Sequence, residues 1–401
     1  MFGDLDCLSP EVCANINCLV TGTNSAQQSF TILPVERFSL SAATQYYQPL
    51  ESLDDVVEYT KHKLCKTSQA ECLARVSSFL QASTVDFDFD TISHALTVTA
   101  FWAPQVQSIN IEGTTAKDRV EVGILSVESP KEPEELSLGG FLTIVGEDTK
   151  PKPTLFSFPA RHHPFPSGFS AAFVEPTGLH PTLKLEMETS YSPTKDRSCS
   201  LLTHLTLPRT IFADKYQFSD SLFLASKNIT ALHHVTGGVD LEAPAYTMKV
   251  WGSSVLLELA PPSPASKSWT AEIPLHLRYL PPASSTAGQS KIEVPYPVVF
   301  WACVADEGSK FPINPFDKVN VGYDGLFGPK TMFYHLSPKG ERLMNTIDVP
   351  VLDLDQSRYV EVGTAAVVAM GFAWILWCLL RVWRTNGYGS IKPVVAEKKT
   401  Q

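Results

Sequence analysis

The chain has 401 residues, which is enough for two or three domains with their own cores. A hydrophobic content of 44% and a charged content of 18% are typical of a folded protein and exclude a largely disordered one. The formal net charge is −10, and no block of basic residues is interleaved with aromatic ones, so nucleic-acid binding is not expected. Thirty prolines and 22 glycines between short apolar runs favour turns and short strands over long helices.

The first 150 residues are predicted to form an N-terminal domain of mixed, mostly β structure. Apolar residues recur at helical spacing between Cys72 and Leu80, which predicts one amphipathic helix near residues 68–83. The period then changes to two in "TVDFDFDT", and "ALTVTAFW", "RVEVGILSVES" and "GGFLTIVG" are predicted as further strands. The polar stretch "EDTKPKPT" is interpreted as the connection to a second domain.

The cysteines of this region give only weak constraints. We expect Cys65 to lie at or before the start of the predicted helix. Seven residues along a helix rise about 10 Å, so a disulfide between Cys65 and Cys72 is not expected. Cys7, Cys13 and Cys18 have no histidine at a usual ligand spacing, which favours a disulfide or free thiols over a zinc site.

Residues 151–355 are predicted to form a second β domain. Leu183, Leu185 and Met187 alternate with polar residues, and "WTAEIPLHLRYL" shows the same period. Pro274 within that second stretch indicates an edge or bulge position. Half-buried strands separated by turns rich in proline, serine and glycine are typical of antiparallel sheets, so the predicted fold class is a mainly β, sandwich-like region of two domains.

One uncharged segment differs from the rest of the chain. Residues 362–380, "VGTAAVVAMGFAWILWCLL", run for nineteen residues without a charge. They would span roughly 28 Å as a helix, close to the hydrocarbon thickness of a bilayer, which favours a transmembrane helix over a buried soluble one. Ala365, Ala369 and Ala373 recur every fourth residue and are candidates for an interface with another transmembrane helix.

The flanking charges predict the orientation of this span. Five basic residues follow it, whereas acidic residues predominate before it, so residues 381–401 are predicted to be a cytosolic tail and residues 1–361 luminal. In such a tail, Lys398 and Lys399 have the positions of a dilysine signal for retrieval to the endoplasmic reticulum. The sequon at Asn228 is a predicted N-glycosylation site and argues against the opposite, tail-anchored topology.

The N-terminus does not fit this topology simply. It has neither a basic stretch nor an apolar stretch long enough for a signal peptide. Translocation of the luminal region is therefore expected to use an upstream start or an unobvious route.

The sequence contains no recognisable catalytic motif. It lacks a P-loop, GxGxxG, HExxH and GxSxG, and no cofactor, metal or small-molecule substrate is expected. The pairs His162-His163 and His233-His234 are interpreted as turn or surface histidines, because neighbours on a strand point to opposite faces and offer one metal ligand at best. D-x-D motifs occur at 86–90 and 353–355, outside any recognisable nucleotide-binding unit, and are interpreted as solvated stretches.

Five blocks of the sequence resemble a known family. They are, in order, "GLHPTL" (178–183), "FADKYQF" (212–218), "DLEAP" (240–244), "PLHLRY" (274–279) and "PYPVVFWAC" (295–303). Their order and spacing, followed by one C-terminal span, are similar to the PIG-X family and its fungal counterpart, over roughly residues 155–385. The first 150 residues resemble the extra N-terminal region of the longer fungal members.

The resemblance implies a non-catalytic subunit of glycosylphosphatidylinositol (GPI) mannosyltransferase I in the endoplasmic reticulum membrane. Its implied partner is the multi-span catalytic subunit, which transfers the first mannose from dolichyl-phosphate-mannose to glucosaminyl-phosphatidylinositol, and which this chain would stabilise. The candidate structural or partner-contact residues within the blocks are His180, Asp214, Lys215, Tyr216, Asp240, Glu242, His276, Arg278 and Trp301.

Two other functions remain open at this point. A general membrane-anchored chaperone or quality-control factor of the endoplasmic reticulum would bind many clients, where a subunit would bind few. A glycosyltransferase that uses Asp353 and Asp355 would lose function when both are replaced by alanine.

Overall fold

The computed structural model describes residues 31–32, 44–48, 50, 52–63, 65, 69–82, 84–90, 95–101, 119–188, 191–193, 198–238, 240–261, 269–283, 288–311, 322–340 and 343–386. The chain forms two compact units, one of residues 1–280 with 291–347 and one of residues 281–290 with 348–401. The predicted division into domains 1–150 and 151–355 stays a prediction.

The elements near the N-terminus are two short strands and two helices, β1 (Thr31–Ile32), β2 (Thr44–Gln45), α1 (Asp54–Lys63) and α2 (Ala70–Ser78). Helix α1 begins with two aspartates and ends with three basic residues, the arrangement that the helix dipole favours. Helix α2 continues into a 3₁₀ turn over Phe79–Gln81 and confirms the predicted amphipathic helix. No residue pattern predicted α1.

The expectation that Cys65 and Cys72 do not pair is wrong. The two cysteines form a disulfide, with their Cα atoms 5.7 Å apart. Cys65 lies between α1 and α2 and not within a helix, so the rise of a single helix does not separate the two residues. Cys65 packs with Val57 and Val76 in a small apolar core, which the disulfide closes.

The next five strands form a hairpin and a three-stranded sheet: β3 (Thr84–Asp90), β4 (Ala95–Phe101), β5 (Glu121–Glu128), β6 (Glu135–Ile144) and β7 (Lys152–Pro159). The four strands predicted in this region are thereby confirmed. Strand β7 pairs with β6 in antiparallel register, so one sheet continues across residue 150.

The described residues from 160 to 350 lie mainly in strands. In chain order these are β8 (His162–Phe173), β9 (Thr182–Met187), β10 (Cys199–Pro208), β11 (Ile211–Phe212), β12 (Ile229–Gly237), β13 (Gly252–Leu259), β14 (Trp269–Pro274), β15 (His276–Leu277), β16 (Gln289–Pro295), β17 (Val298–Val304), β18 (Thr331–Pro338) and β19 (Met344–Pro350), with one short helix, α3 (Ser221–Ser226). Eight of them form one sheet in the order β12-β13-β10-β17-β18-β8-β9-β14. Every pair in it is antiparallel except β18 with β8.

The two ends of this sheet approach each other. The backbone N–H of Glu272, on β14, donates to the carbonyl of Lys227 (3.1 Å), just before β12. The side-chain amide of Asn228 donates to the carbonyl of Thr270 (2.7 Å). The eight-stranded sheet therefore curls on itself, and the predicted mainly β, antiparallel fold class is confirmed in this form.

Burial follows the predicted alternation on the outer strands. Leu183, Leu185 and Met187 of β9 are buried, and they pair with the equally apolar β14. Strand β14 is the last strand of the sheet, which confirms the edge position that Pro274 indicated. The central strands β10 and β13 are buried on both faces.

The second unit contains one long helix, α4 (Leu354–Asn386). It is the only helix in the described part of the chain that is long and apolar enough to cross a membrane, with a mean hydropathy of 2.0 in its most apolar window. It contains the predicted span 362–380, and none of that window is buried. The helix is compatible with a single-pass membrane protein.

Candidate functional site

Four of the five sequence blocks meet at one end of the eight-stranded sheet. Strand β11 pairs with β15, which places Phe212 opposite His276. The N–H of Leu277 donates to the carbonyl of Leu179 (3.0 Å), and the N–H of Ala245 donates to the carbonyl of Tyr279 (3.0 Å). Eight of the nine candidate residues thus form one group, which we call the motif cluster: His180, Asp214, Lys215, Tyr216, Asp240, Glu242, His276 and Arg278.

Arg278 is the buried centre of the motif cluster, with only 3% of its surface exposed. Its guanidinium donates to the carbonyls of Ala243 (2.8 Å) and Gly238 (3.0 Å) and lies 4.2 Å from the ring centre of Phe212. Burial lowers the pKa of Arg278, and the carboxylate of Asp240 opposes that shift. The side chain therefore fastens the loop after β12 to the strand that follows β14.

Asp240 shapes the same loop from the solvent side. Its Oδ1 accepts hydrogen bonds from the N–H groups of Glu242 (2.9 Å) and Ala243 (3.2 Å). These two donors lower the pKa of Asp240, with a smaller contribution from Arg278. The carboxylate is thus ionised, and it holds a tight turn whose carbonyl at Ala243 faces Arg278.

A pair of histidines joins two further blocks. Nδ1 of His180 lies 3.0 Å from Nδ1 of His276, and Nε2 of His276 lies 3.1 Å from Oε1 of Gln217. Both contacts are satisfied when neutral His276 donates from Nε2 to Gln217 and accepts at Nδ1 from His180. Burial lowers the pKa of His276, His180 lowers it further, and Asp214 acts in the opposite direction. The imidazole of His276 also stacks on Phe212, so it connects β15 to β11 through its side chain as well as through the backbone.

The block around Tyr216 supplies the exposed side of the motif cluster. Oδ1 of Asp214 accepts from the N–H of Tyr216 (2.8 Å), which fixes the turn after β11. Nζ of Lys215 lies 5.0 Å from the ring centre of Tyr216. The ring itself is 63% exposed and faces solvent.

The ninth candidate, Trp301, lies elsewhere. It is buried on β17, between Leu201 of β10 and Tyr334 of β18 in the sheet register. Two residues further on, Cys303 forms a disulfide with Cys199, its direct partner across the same two strands. The fifth block therefore builds the core, and no sequence signal identified that disulfide.

The expectation of turn or surface histidines is wrong for His162 and His163. Both are buried on β8, and they face opposite sides of the strand, as neighbours on a strand must. Nδ1 of His162 lies 2.9 Å from Nε2 of His335, whereas His163 stacks on Tyr334. Among the described residues, no group of three or more histidine, cysteine, aspartate or glutamate side chains could hold a metal ion.

The predicted glycosylation site lies at the other end of β12. Asn228 is exposed and has a positive φ of 57°, in the turn between α3 and β12. Its Nδ2 donates to the carbonyl of Thr270, and an amide that carries a glycan keeps one N–H for such a bond. The nine residues of β12 extend about 26 Å, which separates Asn228 from the loop at Gly238. Glycosylation of Asn228 stays a prediction.

The remaining sequence-predicted positions belong to the second unit. Asp353 precedes α4, and its Oδ1 accepts from the N–H of Asp355 (3.0 Å), so this part of the D-x-D motif caps a helix. Ala365, Ala369 and Ala373 are exposed along one face of α4, and their role as an interface stays a prediction. Lys398 and Lys399 lie outside the described residues.

The fold and the motif cluster define the class of protein. It is mainly β and has one C-terminal helix long and apolar enough to span a membrane. Four of its five sequence blocks connect strands and loops at one end of the large sheet. A family model described as PIG-X / PBN1 matches residues 176–380, which include the motif cluster and the whole uncharged segment 362–380. The chain belongs to the PIG-X / PBN1 family.

Curated relatives from filamentous fungi are similar over nearly the whole chain. Protein pbn1 of Neurospora crassa is 49% identical over 412 aligned residues, covering 100% of this chain and 82% of the relative. Protein pbn1 of Emericella nidulans is 45% identical, covering 90% of this chain and 74% of the relative. Protein PBN1 of Gibberella zeae is 46% identical, covering 95% and 74%. The first 150 residues are therefore shared with the Neurospora crassa relative in full, and most of them with the other two.

Proposed function

We propose that this chain is a non-catalytic subunit of GPI mannosyltransferase I and stabilises the multi-span catalytic subunit of that enzyme. Membership of the PIG-X / PBN1 family supports a role in GPI-anchor biosynthesis. In this role the partner carries out the transfer of the first mannose, and the chain contributes binding surface.

The observation that carries the proposal is that polar side chains of the motif cluster form hydrogen bonds and ring contacts within the protein. Arg278 is engaged by two carbonyls and a ring, Asp240 by two backbone N–H groups, and His276 by a histidine and a glutamine. These contacts order loops and present exposed side chains on a fixed frame. Such an arrangement suits recognition of another protein, since pre-ordered loops reduce the entropy lost on binding.

Several features support a location in the membrane of the endoplasmic reticulum with residues 1–361 in the lumen. Helix α4 has the length and composition of a span, and basic residues follow it. The disulfides Cys65–Cys72 and Cys199–Cys303 favour an oxidising compartment. In this topology Asn228 is in the compartment where glycans are attached, and Lys398 and Lys399 are in the cytosol, where a retrieval receptor can bind them.

The proposal is tested by removing the chain and following its partners. In microsomes that lack it, the mannosyltransferase protein should fall well below its normal level, while unrelated multi-span proteins of the same membrane keep theirs. Affinity purification of the full-length chain should recover the mannosyltransferase as the main partner. Loss of many unrelated membrane proteins at once would instead identify a general chaperone and contradict the proposal.

A further inference from the structure

Five large side chains around the motif cluster are exposed to solvent. Their exposed fractions lie between 43% and 69%, and three of them are tyrosines. We call this set the tyrosine surface: Leu179, Tyr216, Leu241, Tyr246 and Tyr279. Tyrosine is enriched in protein interfaces because it offers a large apolar ring together with a hydrogen-bonding hydroxyl.

The members of the tyrosine surface are joined through one short stretch of backbone, residues 276–279. Tyr279 belongs to that stretch, and its carbonyl accepts from the residue before Tyr246. The carbonyl of Leu179 accepts from the N–H of Leu277. Tyr216 adjoins the glutamine that contacts His276, and Leu241 lies two residues from the carbonyl that Arg278 holds. Each exposed side chain is therefore connected, directly or through a neighbouring residue, to the backbone or side chains of residues 276–279.

The size of the tyrosine surface fits a contact site. Five large side chains that are about half exposed offer on the order of 500 Å². Apolar patches of a few hundred Å² on a protein surface commonly mark interaction sites, whereas a standard interface covers roughly 800 Å² on each partner. The tyrosine surface would thus supply the central anchors of an interface whose rim lies around it.

The charges beside these rings indicate the chemistry of the occupant. Asp240 and Glu242 flank Leu241 and are both exposed, whereas Lys215 lies against the ring of Tyr216. Two exposed carboxylates beside the apolar patch would repel anionic lipid headgroups and attract a basic side chain. Lys215 and the exposed Lys249, three residues after Tyr246, place positive charge elsewhere around the patch, so the acidic charge is confined to the side at Leu241. On that side the two carboxylates favour a polypeptide with an arginine or lysine next to apolar residues over an anionic membrane surface.

We infer that the tyrosine surface binds a luminal segment of the mannosyltransferase catalytic subunit that carries a basic side chain next to apolar ones. The rings of Tyr246 and Tyr279 pack on the apolar residues, and Asp240 and Glu242 face the basic one. The inference rests on the proposed function, because it names the surface through which the chain holds that partner.

The test uses the full-length chain in microsomes, with a photo-crosslinking amino acid in place of Tyr279 or, as the control, Tyr191. Tyr191 is also about half exposed but follows β9, whereas the tyrosine surface adjoins the start of that strand, about 20 Å away. Light should join the chain to the mannosyltransferase from position 279 and not from position 191. Crosslinking from position 191 alone would overturn the inference.

A second set of variants measures binding. The double variant Tyr246→Ala with Tyr279→Ala should reduce co-purification of the mannosyltransferase by about 30-fold or more, the loss typical of an interface hot spot. Tyr191→Ala is the matched control and should bind as the wild type does. Glu242→Lys should weaken binding at low salt and less so at high salt, since the charge pair is screened.

The outcomes separate the inference from the proposed function. If the wild-type chain and the double variant co-purify with the mannosyltransferase equally well, the tyrosine surface is not the binding site, and the proposed subunit role is unaffected. If the wild-type chain does not co-purify with it, the proposed function fails, and this inference with it. If the double variant keeps the mannosyltransferase but loses flotation with anionic vesicles, the tyrosine surface contacts lipid and the inference is overturned.

Discussion

Replacing Arg278 with methionine should destabilise the protein and release the loop between β12 and β13. Methionine fills much of the space of the arginine stem but donates no hydrogen bond. The change leaves the carbonyls of Gly238 and Ala243 without their guanidinium donor and removes the contact with Phe212. The carboxylate of Asp240, which holds the same loop, is an acceptor and cannot replace these two donors.

The magnitude follows from these contacts. Hydrogen bonds from a charged donor contribute about 1.5–3 kcal/mol each, and a cation–π contact about 1 kcal/mol. The cost of keeping a guanidinium out of water offsets part of this, so we expect a net loss of about 3 kcal/mol. Arg278→Lys keeps the charge without the planar fork and should fall between the methionine variant and the wild type.

Two assays on the full-length protein in detergent measure the effect. Urea unfolding followed by tryptophan fluorescence gives the free energy of unfolding. Trypsin cleavage after the exposed Lys249 reports opening of the loop, and a local loss of 3 kcal/mol should speed it roughly 100-fold. Arg209→Met, at an exposed arginine near the same end of the sheet, is the control and should change the unfolding free energy by less than about 0.5 kcal/mol. An Arg278→Met protein as stable and as protease-resistant as the wild type would refute the role given to this side chain.

Three further predictions follow from single features. Burial lowers the pKa of His204 from 6.5 to about 4. As the pH falls, the unfolded chain therefore takes up a proton at this position before the folded chain does. About 3 kcal/mol of the free energy of unfolding should be lost between pH 6.5 and pH 4. Urea titrations of His204→Gln should lack this loss, and the same dependence on pH in the variant and the wild type would contradict the prediction. Replacing Cys199 and Cys303 together by alanine opens a link across 104 residues and should lower the unfolding free energy by about 4 kcal/mol, whereas an unchanged urea midpoint would show the bond to be unimportant. Asn228→Gln should migrate on a gel like the wild type after treatment with endoglycosidase. A further shift of the variant on treatment with endoglycosidase would show that a glycan is attached at another residue.

Local patterns were sufficient where the structure depends on neighbours in sequence. The two-residue alternation predicted β9 because its odd positions pack inward and its even positions face solvent. The uncharged run at 362–380 predicted the long helix α4. The helix near 68–83 was predicted from the spacing of its apolar residues. In each case the residue pattern within one element is enough to predict that element.

The errors arose where the structure depends on a neighbouring element. Cys65 and Cys72 pair because Cys65 lies outside helix α2, whereas the prediction applied helical geometry to the residues before its start. The two prolines at 164 and 166 make the sequence of β8 resemble that of a loop. Both prolines are exposed, whereas Phe165 between them is buried, as expected for alternate positions of a strand. The prediction of turn or surface histidines at 162 and 163 misses this strand. The parallel pairing of β8 with β18 joins residues about 170 positions apart and leaves no local pattern.

The motif cluster was predicted in part. The sequence identified the blocks through a family resemblance, but their convergence depends on the pairing of β11 with β15 and on side chains that reach between loops. Phe212 and Gln217, which hold His276, were not singled out because nothing in their spacing distinguishes them from ordinary strand and turn residues. Trp301 belongs to the same family pattern, yet it packs in the core.

The most direct test of the non-catalytic role is mannosyl transfer to glucosaminyl-phosphatidylinositol, measured in microsomes depleted of this chain and normalised to the amount of mannosyltransferase that remains. If the chain only stabilises the enzyme, total transfer falls with the amount of the enzyme, while transfer per enzyme molecule stays near the wild-type value. Restoring the chain should restore both the enzyme level and total transfer. A normal level of mannosyltransferase with little or no transfer would show instead that this chain takes part in the reaction itself.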